Sequence, residues 1–183
     1  MRYKDPDIES SYHTSTIGKT LYEQVLKLKP ERIVEIGTLH GYTTVIMAMA
    51  LDELGKGRIN AYDLFEEYPY KHPTFEGTMK NIEHYGLSKY VTLAKKSLDE
   101  WLEAPEDFDL LYIDVSNNGD VIDAVYAAVK ERIAKGATVL FEGGSEERDK
   151  VEWITKYGKR PIRDAKTPFR VIDPTFPSLS MIG

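Results

Sequence analysis

Short β-branched runs alternating with helical patterns constrain this chain more than any other feature of its sequence. The runs cover residues 32–36, 58–62, 91–94, 108–113 and 137–141. Apolar residues at helical spacing fill the gaps, over 42–54, 74–85, 97–102 and 119–134. A helix over 15–29 precedes the first run, with Thr14 or Ser15 as its cap and Pro30 ending it. Another helix is predicted over 145–157. Such alternation implies a parallel sheet with right-handed crossovers and helices on both faces. Two closing runs, 169–172 and 179–182, lie too close together for a helical crossover and are expected as an antiparallel pair at one edge. The predicted fold class is α/β: a doubly wound, mostly parallel, seven-stranded sheet with an antiparallel C-terminal edge pair. No repeat or linker divides the 183 residues, so 1–183 reads as one domain, with 1–14 as an N-terminal extension and candidate lid.

Composition narrows the function classes. Lys and Arg number 24 against 30 Asp and Glu, a net charge of −6, which argues against a broad nucleic-acid or membrane footprint. The absence of cysteine removes disulfides, thiolate metal sites and cysteine nucleophiles. The N-terminus is polar, and the longest apolar run, 45–51, falls far short of the roughly 20 residues a membrane span needs. A cytoplasmic protein is expected.

In a sheet of this kind ligands sit beyond the carboxyl ends of the strands, where the strand order reverses. Carboxylates recur there: Glu35 within the first strand, then Asp63, Asp114 and Glu142. The first loop reads Glu35-Ile36-Gly37-Thr38-Leu39-His40-Gly41-Tyr42-Thr43-Thr44. Gly37 lets the backbone turn and approach a ligand, and Gly41 allows close packing of helix on strand. This G-x-x-x-G differs from the dinucleotide G-x-G-x-x-G, and the acid before it suits a ligand's ammonium or hydroxyl better than a pyrophosphate. Asp63 stands 22 residues after Gly41, where an acid accepts hydrogen bonds from a ribose diol. Asp114 and Glu142 end strands expected to be neighbours, about 4.8 Å apart. Two carboxylates so placed could share Mg²⁺ or Ca²⁺, or one could serve as a base.

The run Val34-Glu35-Ile36-Gly37-Thr38-x-x-Gly41-Tyr42-Thr43, the spaced Asp63, and Phe108-Asp109-Leu110-Leu111-Tyr112-Ile113-Asp114 together resemble the class I S-adenosylmethionine-dependent methyltransferases, close to their small-molecule, catechol-type O-methyltransferase branch. The resemblance implies a single Rossmann-like domain and S-adenosylmethionine as cofactor. It places Glu35, Gly37, Thr38 and Gly41 along the methionine portion, with Tyr42 and Thr43 at the helix start behind them. Asp63 would hold the ribose, Leu64 the adenine ring, and Ser97 would lie near the adenine amino group. Asp114 would face both cofactor and acceptor, with Glu142 beside it as the second candidate catalytic acid. The catechol-type branch binds its metal with Asp at the fourth strand and Asp-Asn at the fifth, whereas here the fifth strand ends Glu142-Gly143. The metal ligands are therefore not assigned, and Mg²⁺ stands as a candidate only.

His40, inside the glycine loop, and His13, before the first helix, are secondary candidates for a base and a lid residue. His84 reads as a surface residue. The aromatic loop 65–73 and the segment 142–149 are candidate walls of an acceptor pocket. The expected activity is methyl transfer to a hydroxyl of a small metabolite or sugar. The alternatives are an NAD-dependent oxidoreductase and a non-catalytic cofactor-binding scaffold. Nucleic acid is not expected as substrate: the charge is unfavourable, and Asp114-Val115-Ser116-Asn117 lacks the Asn/Asp-Pro-Pro-aromatic motif of the amino-methylating branch. A chain this short has little room for a substrate-recognition domain, so pairing of subunits over the pocket is a further expectation.

Overall fold

The computed structural model describes residues 2–70 and 72–182. The elements run α1 Ile17–Leu28, β1 Arg32–Ile36, α2 Tyr42–Leu54, β2 Arg58–Asp63, α3 Phe75–His84, β3 Val91–Lys95, α4 Leu98–Glu103, β4 Leu110–Ile113, α5 Gly119–Ala134, β5 Thr138–Glu142, α6 Glu146–Asp149, α7 Glu152–Lys156, β6 Phe169–Asp173 and β7 Leu179–Ile182. They build a seven-stranded sheet of order β3-β2-β1-β4-β5-β7-β6. The first five strands in that order pair in parallel, while β7 runs antiparallel to both β5 and β6. The antiparallel edge pair is as the sequence implies, with β7 inserted between β5 and β6.

Period-two alternation along the strands divides the core between two faces. Ile33, Ile59, Leu110 and Tyr112 face α1 and α2, whereas Val34, Ile36, Leu111, Ile113, Val139 and Phe141 face α4 and α5. Helix α2 is buried at every residue from Tyr42 to Leu51, which is why its apolar residues run nearly all round. Each large aliphatic side chain it buries contributes about 1.5–3 kcal/mol.

Two local expectations are corrected. Helix α1 is capped by neither Thr14 nor Ser15: its N-cap is Thr16, whose hydroxyl donates instead to the Asp173 carboxylate (2.8 and 3.0 Å), joined there by Thr20 (2.6 Å). The single helix predicted over 145–157 is two short helices, broken at Val151, which is extended (φ −60°, ψ 140°). Tertiary bonds outweigh helix propensity at this break. Asp149 accepts the backbone N–H groups of Ile162 (2.8 Å) and Arg163 (3.0 Å), and Arg148 turns inward to Glu142.

Candidate active site

The strand order reverses between β1 and β4, and the loops after them meet there. Ile36 and Phe141 both pair with Ile113, so the carboxyl ends of β1, β4 and β5 finish level. A cavity of about 1010 Å³ spans these ends, running from Asp63 and Leu64 past Gly37 and Asp114 to Glu142 and Arg148. A smaller one of about 250 Å³ adjoins it over the glycine loop and shares Ser11, Tyr12, Gly37, Leu39 and Asp114 with it.

Gly37 could be no other residue. Its φ is +95°, and a Cβ there would lie 1.9 Å from the carbonyl oxygen of Asp114. The two loops at the switch point thus touch backbone to backbone and leave a cradle that any side chain would fill. Asp63 is held by backbone donors, Leu39 N to Oδ2 (2.7 Å) and Phe65 N to Oδ1 (3.1 Å). One N–H on each oxygen fixes the carboxylate and leaves each oxygen further acceptor capacity toward the cavity. Leu64 and Ser97 line the same cavity. Ser97 is also the N-cap of α4, in a reciprocal capping box with Glu100 that engages its hydroxyl (2.8 and 3.1 Å).

Glu35 departs from its expected place. It is fully buried, lines neither cavity, and accepts the Thr43 and Thr44 hydroxyls at 2.5 Å each. Burial pushes its pKa up to about 8, against the lowering effect of the two threonines and with further raising by Asp114 and Asp63. Glu35 thus anchors the first turn of α2 from behind the glycine loop. Thr38 donates to the Tyr62 carbonyl (3.2 Å), and Gly41 is the left-handed N-cap of α2. Thr38, Tyr42 and Thr43 all line the smaller cavity.

The N-terminal segment closes over this end of the sheet. Tyr12, buried, donates to Asp114 Oδ2 (2.6 Å) and lies 3.2 Å from the Tyr112 hydroxyl. Burial and the Asp114 charge push both phenols well above the usual tyrosine range, so they remain neutral donors. Tyr42 donates to Asp5 (2.5 Å), to which His13 Nδ1 also bonds (3.0 Å). His13 Nε2 bonds the Ile8 carbonyl (2.7 Å), so His13 ties the segment to itself and does not face the reacting end. His40 lines the smaller cavity. Its Nε2 is buried without a hydrogen bond, 3.8 Å from Glu9 Oε2. His84 is exposed, as expected.

On the β5 side the carboxylate of Glu142 is gripped by Arg148 through Nε and Nη2, the latter at 2.9 Å, with both side chains buried. A guanidinium thus serves as the counter-charge of Glu142. Among the described residues no three His, Asp or Glu side chains gather into a metal-binding group. Asn117, in the loop after β4, donates its Nδ2 to the carbonyls of Ile113 (3.1 Å) and Glu142 (2.9 Å) and so ties the β4 and β5 ends together, while its Oδ1 is buried without a hydrogen bond. Asp114 and Glu142 do not fit a shared metal. Glu142 is held as the partner of Arg148, not as an open base. Beside the pair, Gly143 has φ +105°, and a Cβ there would clash with Ile162 at 2.5 Å.

Both candidate wall segments, 65–73 and 142–149, line the larger cavity, the second through Glu142 and Arg148. Tyr68 and Tyr70 line the larger cavity from the 65–73 loop, whose Lys71 lies outside the described residues, while Arg148, Val151 and Trp153 line it from the other side. Sequence reasoning missed Tyr12 and Arg148. Tyr12 sits in a polar segment without periodicity, and nothing near it points to its partner. Arg148 gave one local signal, a cation six residues past a strand-terminal acid across a Gly-Gly turn.

A glycine cradle against β4, an acid at the end of β2 and a cavity across the switch point are the features by which doubly wound α/β proteins bind ligands. The chain belongs to the methyltransferase-domain family, whose profile matches residues 34–142. No curated protein matches the sequence significantly. Among solved structures, a provisionally assigned O-methyltransferase from Klebsiella pneumoniae is similar at 17% identity, with a TM-score of 0.64, over 96% of this chain and 84% of its own. The SAH-bound Podospora anserina methyltransferase is similar at 16% identity, with a TM-score of 0.63, over 91% of this chain and 76% of its own. An O-methyltransferase from Bacillus cereus in complex with SAH follows at 18% identity and a TM-score of 0.61, over 97% and 84%. The class I methyltransferase fold expected from the sequence is the fold of this chain, and family membership favours methyl transfer over the nicotinamide and scaffold alternatives.

Proposed function

We infer that the chain transfers a methyl group from S-adenosylmethionine to a hydroxyl oxygen of a small metabolite or sugar, without a divalent metal. One observation carries the reading: a single cavity joins the ribose-type acid Asp63 to Asp114 and the aromatic walls beyond it. Bound there, S-adenosylmethionine supplies an activated methyl group on a sulfonium, which needs no further activation. The Gly37 cradle and the fixed Asp63 carboxylate fit such a ligand, with Asp63 toward the ribose, Leu64 along the adenine and Ser97 at its far edge. Gly37, Thr38, Gly41, Tyr42 and Thr43 line or shape the methionine end.

The remaining work falls to alignment and exclusion of water. Asp114, where both cavities meet, is assigned the acceptor hydroxyl: it orients the oxygen for in-line attack and takes up its proton as the new bond forms. Tyr12 and Tyr112 stay protonated, so they position Asp114 rather than compete for that proton. The N-terminal segment covers the reacting end. We also place the enzyme in the cytoplasm, since a chain without cysteine gains nothing from an oxidising compartment, and expect paired subunits to shelter the mouth. Among the described residues no helix is long and apolar enough to cross a membrane.

Calorimetric titration with S-adenosylmethionine, S-adenosylhomocysteine and NAD(H), each with and without Mg²⁺, tests this reading. Micromolar binding of the adenosyl ligands alone, indifferent to magnesium, is the expected result. Binding of NAD(H) instead, or of neither, overturns it.

A further inference from the structure

Arg148 carries more hydrogen-bonding capacity than its partner uses. A guanidinium has five N–H donors arranged along two edges. Glu142 occupies one edge, through Nε and Nη2. Nη1, at the other edge, is buried and has no hydrogen-bond partner, although the residue as a whole is only 5% exposed. Leaving such a donor unmatched is costly enough that native structures rarely do so without a ligand or water to meet it.

The surroundings say which ligand. Arg148 lines the larger cavity, and its guanidinium stacks over Trp153 at 5.1 Å. Lys159 lines the same cavity, is exposed and makes no ion pair among the described residues. Val151, Trp153 and Tyr157 add apolar surface to the lining of the same cavity. An unmatched edge of N–H donors, in a cavity that an unpaired ammonium and aromatic rings also line, suits a carboxylate. Glu142 holds the guanidinium still, so little side-chain freedom is lost when the second oxyanion arrives.

Resting on the methyl-transfer reading, we propose that the acceptor is a hydroxy acid, whose hydroxyl goes to Asp114 and whose carboxylate is bound by the outer edge of Arg148 with help from Lys159. Arg148 is then a specificity-determining residue, and Glu142 a positioning residue that acts through it. The Glu142–Gly143 ending of β5 acquires a purpose under this assignment: it builds an anion-reading guanidinium into the acceptor wall.

The test uses the full chain saturated with S-adenosylhomocysteine. Aromatic and sugar-derived hydroxy acids, para-hydroxybenzoate among them, are titrated beside their neutral amides. At least one acid should bind about tenfold tighter than its amide, the scale of one charge-assisted hydrogen bond. Glu142→Gln combined with Arg148→Gln, which orphans no buried charge, should bring that ratio near one. Lys159→Ala, an exposed change that leaves the fold alone, should lower it several-fold. No acid preferred over its amide, or a preference untouched in Lys159→Ala and in the double variant, overturns the assignment. If S-adenosylhomocysteine itself fails to bind, the methyl-transfer reading falls and this proposal with it. S-adenosylhomocysteine binding without acid preference defeats the carboxylate assignment alone.

Discussion

The two halves of the cavity are built by different means. On the β1–β2 side the key carboxylate, Asp63, is held by backbone N–H groups 24 and 2 residues away, beside a glycine turn. On the β4–β5 side Asp114 is held by the side chain of Tyr12, 102 residues away, and Glu142 by the side chain of Arg148. Backbone donors are the same whatever the sequence, so the first half presents a fixed surface suited to an invariant cofactor. Side-chain partners change with each substitution, so the second half can be retuned for an acceptor without disturbing the first. The halves are joined where Gly37 packs on the Asp114 carbonyl.

The largest effect expected from breaking this contrast is at Arg148. Replacing it by Met leaves Glu142 buried without its counter-charge and should cost about 3–5 kcal/mol of stability, read by urea denaturation. Glu142→Gln together with Arg148→Met should recover most of that loss, because the penalty comes from the orphaned charge rather than from the missing pair. A double variant as unstable as the single one would mean that packing of the arginine stem on Trp153, not charge, holds this half together.

On the β1–β2 side the expected loss falls on affinity. Asp63→Ala should weaken S-adenosylhomocysteine binding by about 1–3 kcal/mol, measured by calorimetry, through lost hydrogen bonds to the charged carboxylate. Unchanged affinity would remove Asp63 from the ribose site. Tyr12→Phe deletes one hydroxyl from the other half and should spare cofactor affinity while lowering turnover on a bound acceptor by about tenfold, the scale of one hydrogen bond to a charged group. Equal losses in affinity from both variants would erase the distinction between the halves.

The same contrast explains what could be read in the sequence. The strands, helix α2 and Asp63 follow from periodicity, from a glycine loop and from spacings of a few tens of residues, all local signals. The insertion of β7 between β5 and β6 is not local: nothing in Leu179–Ile182 says which neighbour it pairs with until both partners are in place. The break at Val151 escaped because the bonds that enforce it come from Ile162 and Arg163 meeting Asp149. Tyr12 escaped for the same reason on a larger scale, since its partner Asp114 lies 102 residues further along the chain. At Glu35 the sequence suggests a ligand-facing acid but does not reveal its protein partners: Thr43 and Thr44, eight and nine residues on in the first turn of α2, fold back within its reach.

Glu35 gives the smallest and most diagnostic effect. Its pKa is about 8 in the folded protein against an ordinary value of 4.5, and burial is the largest cause. A carboxyl whose pKa is raised on folding binds its proton more tightly in the native state, so the stability it lends is complete below pH 4.5 and drains away as the pH climbs through about 8. Glu35→Gln keeps an oxygen for the two threonine hydroxyls and cannot ionise. The variant should therefore match the parent in melting temperature at acidic pH and lose less of it as the pH rises toward 8. Because Glu35 lines neither cavity, the affinity for S-adenosylhomocysteine at neutral pH should barely change. A large drop in that affinity would return Glu35 to the cofactor's ammonium, and the β1–β2 half would then depend on a buried side-chain charge just as the β4–β5 half does.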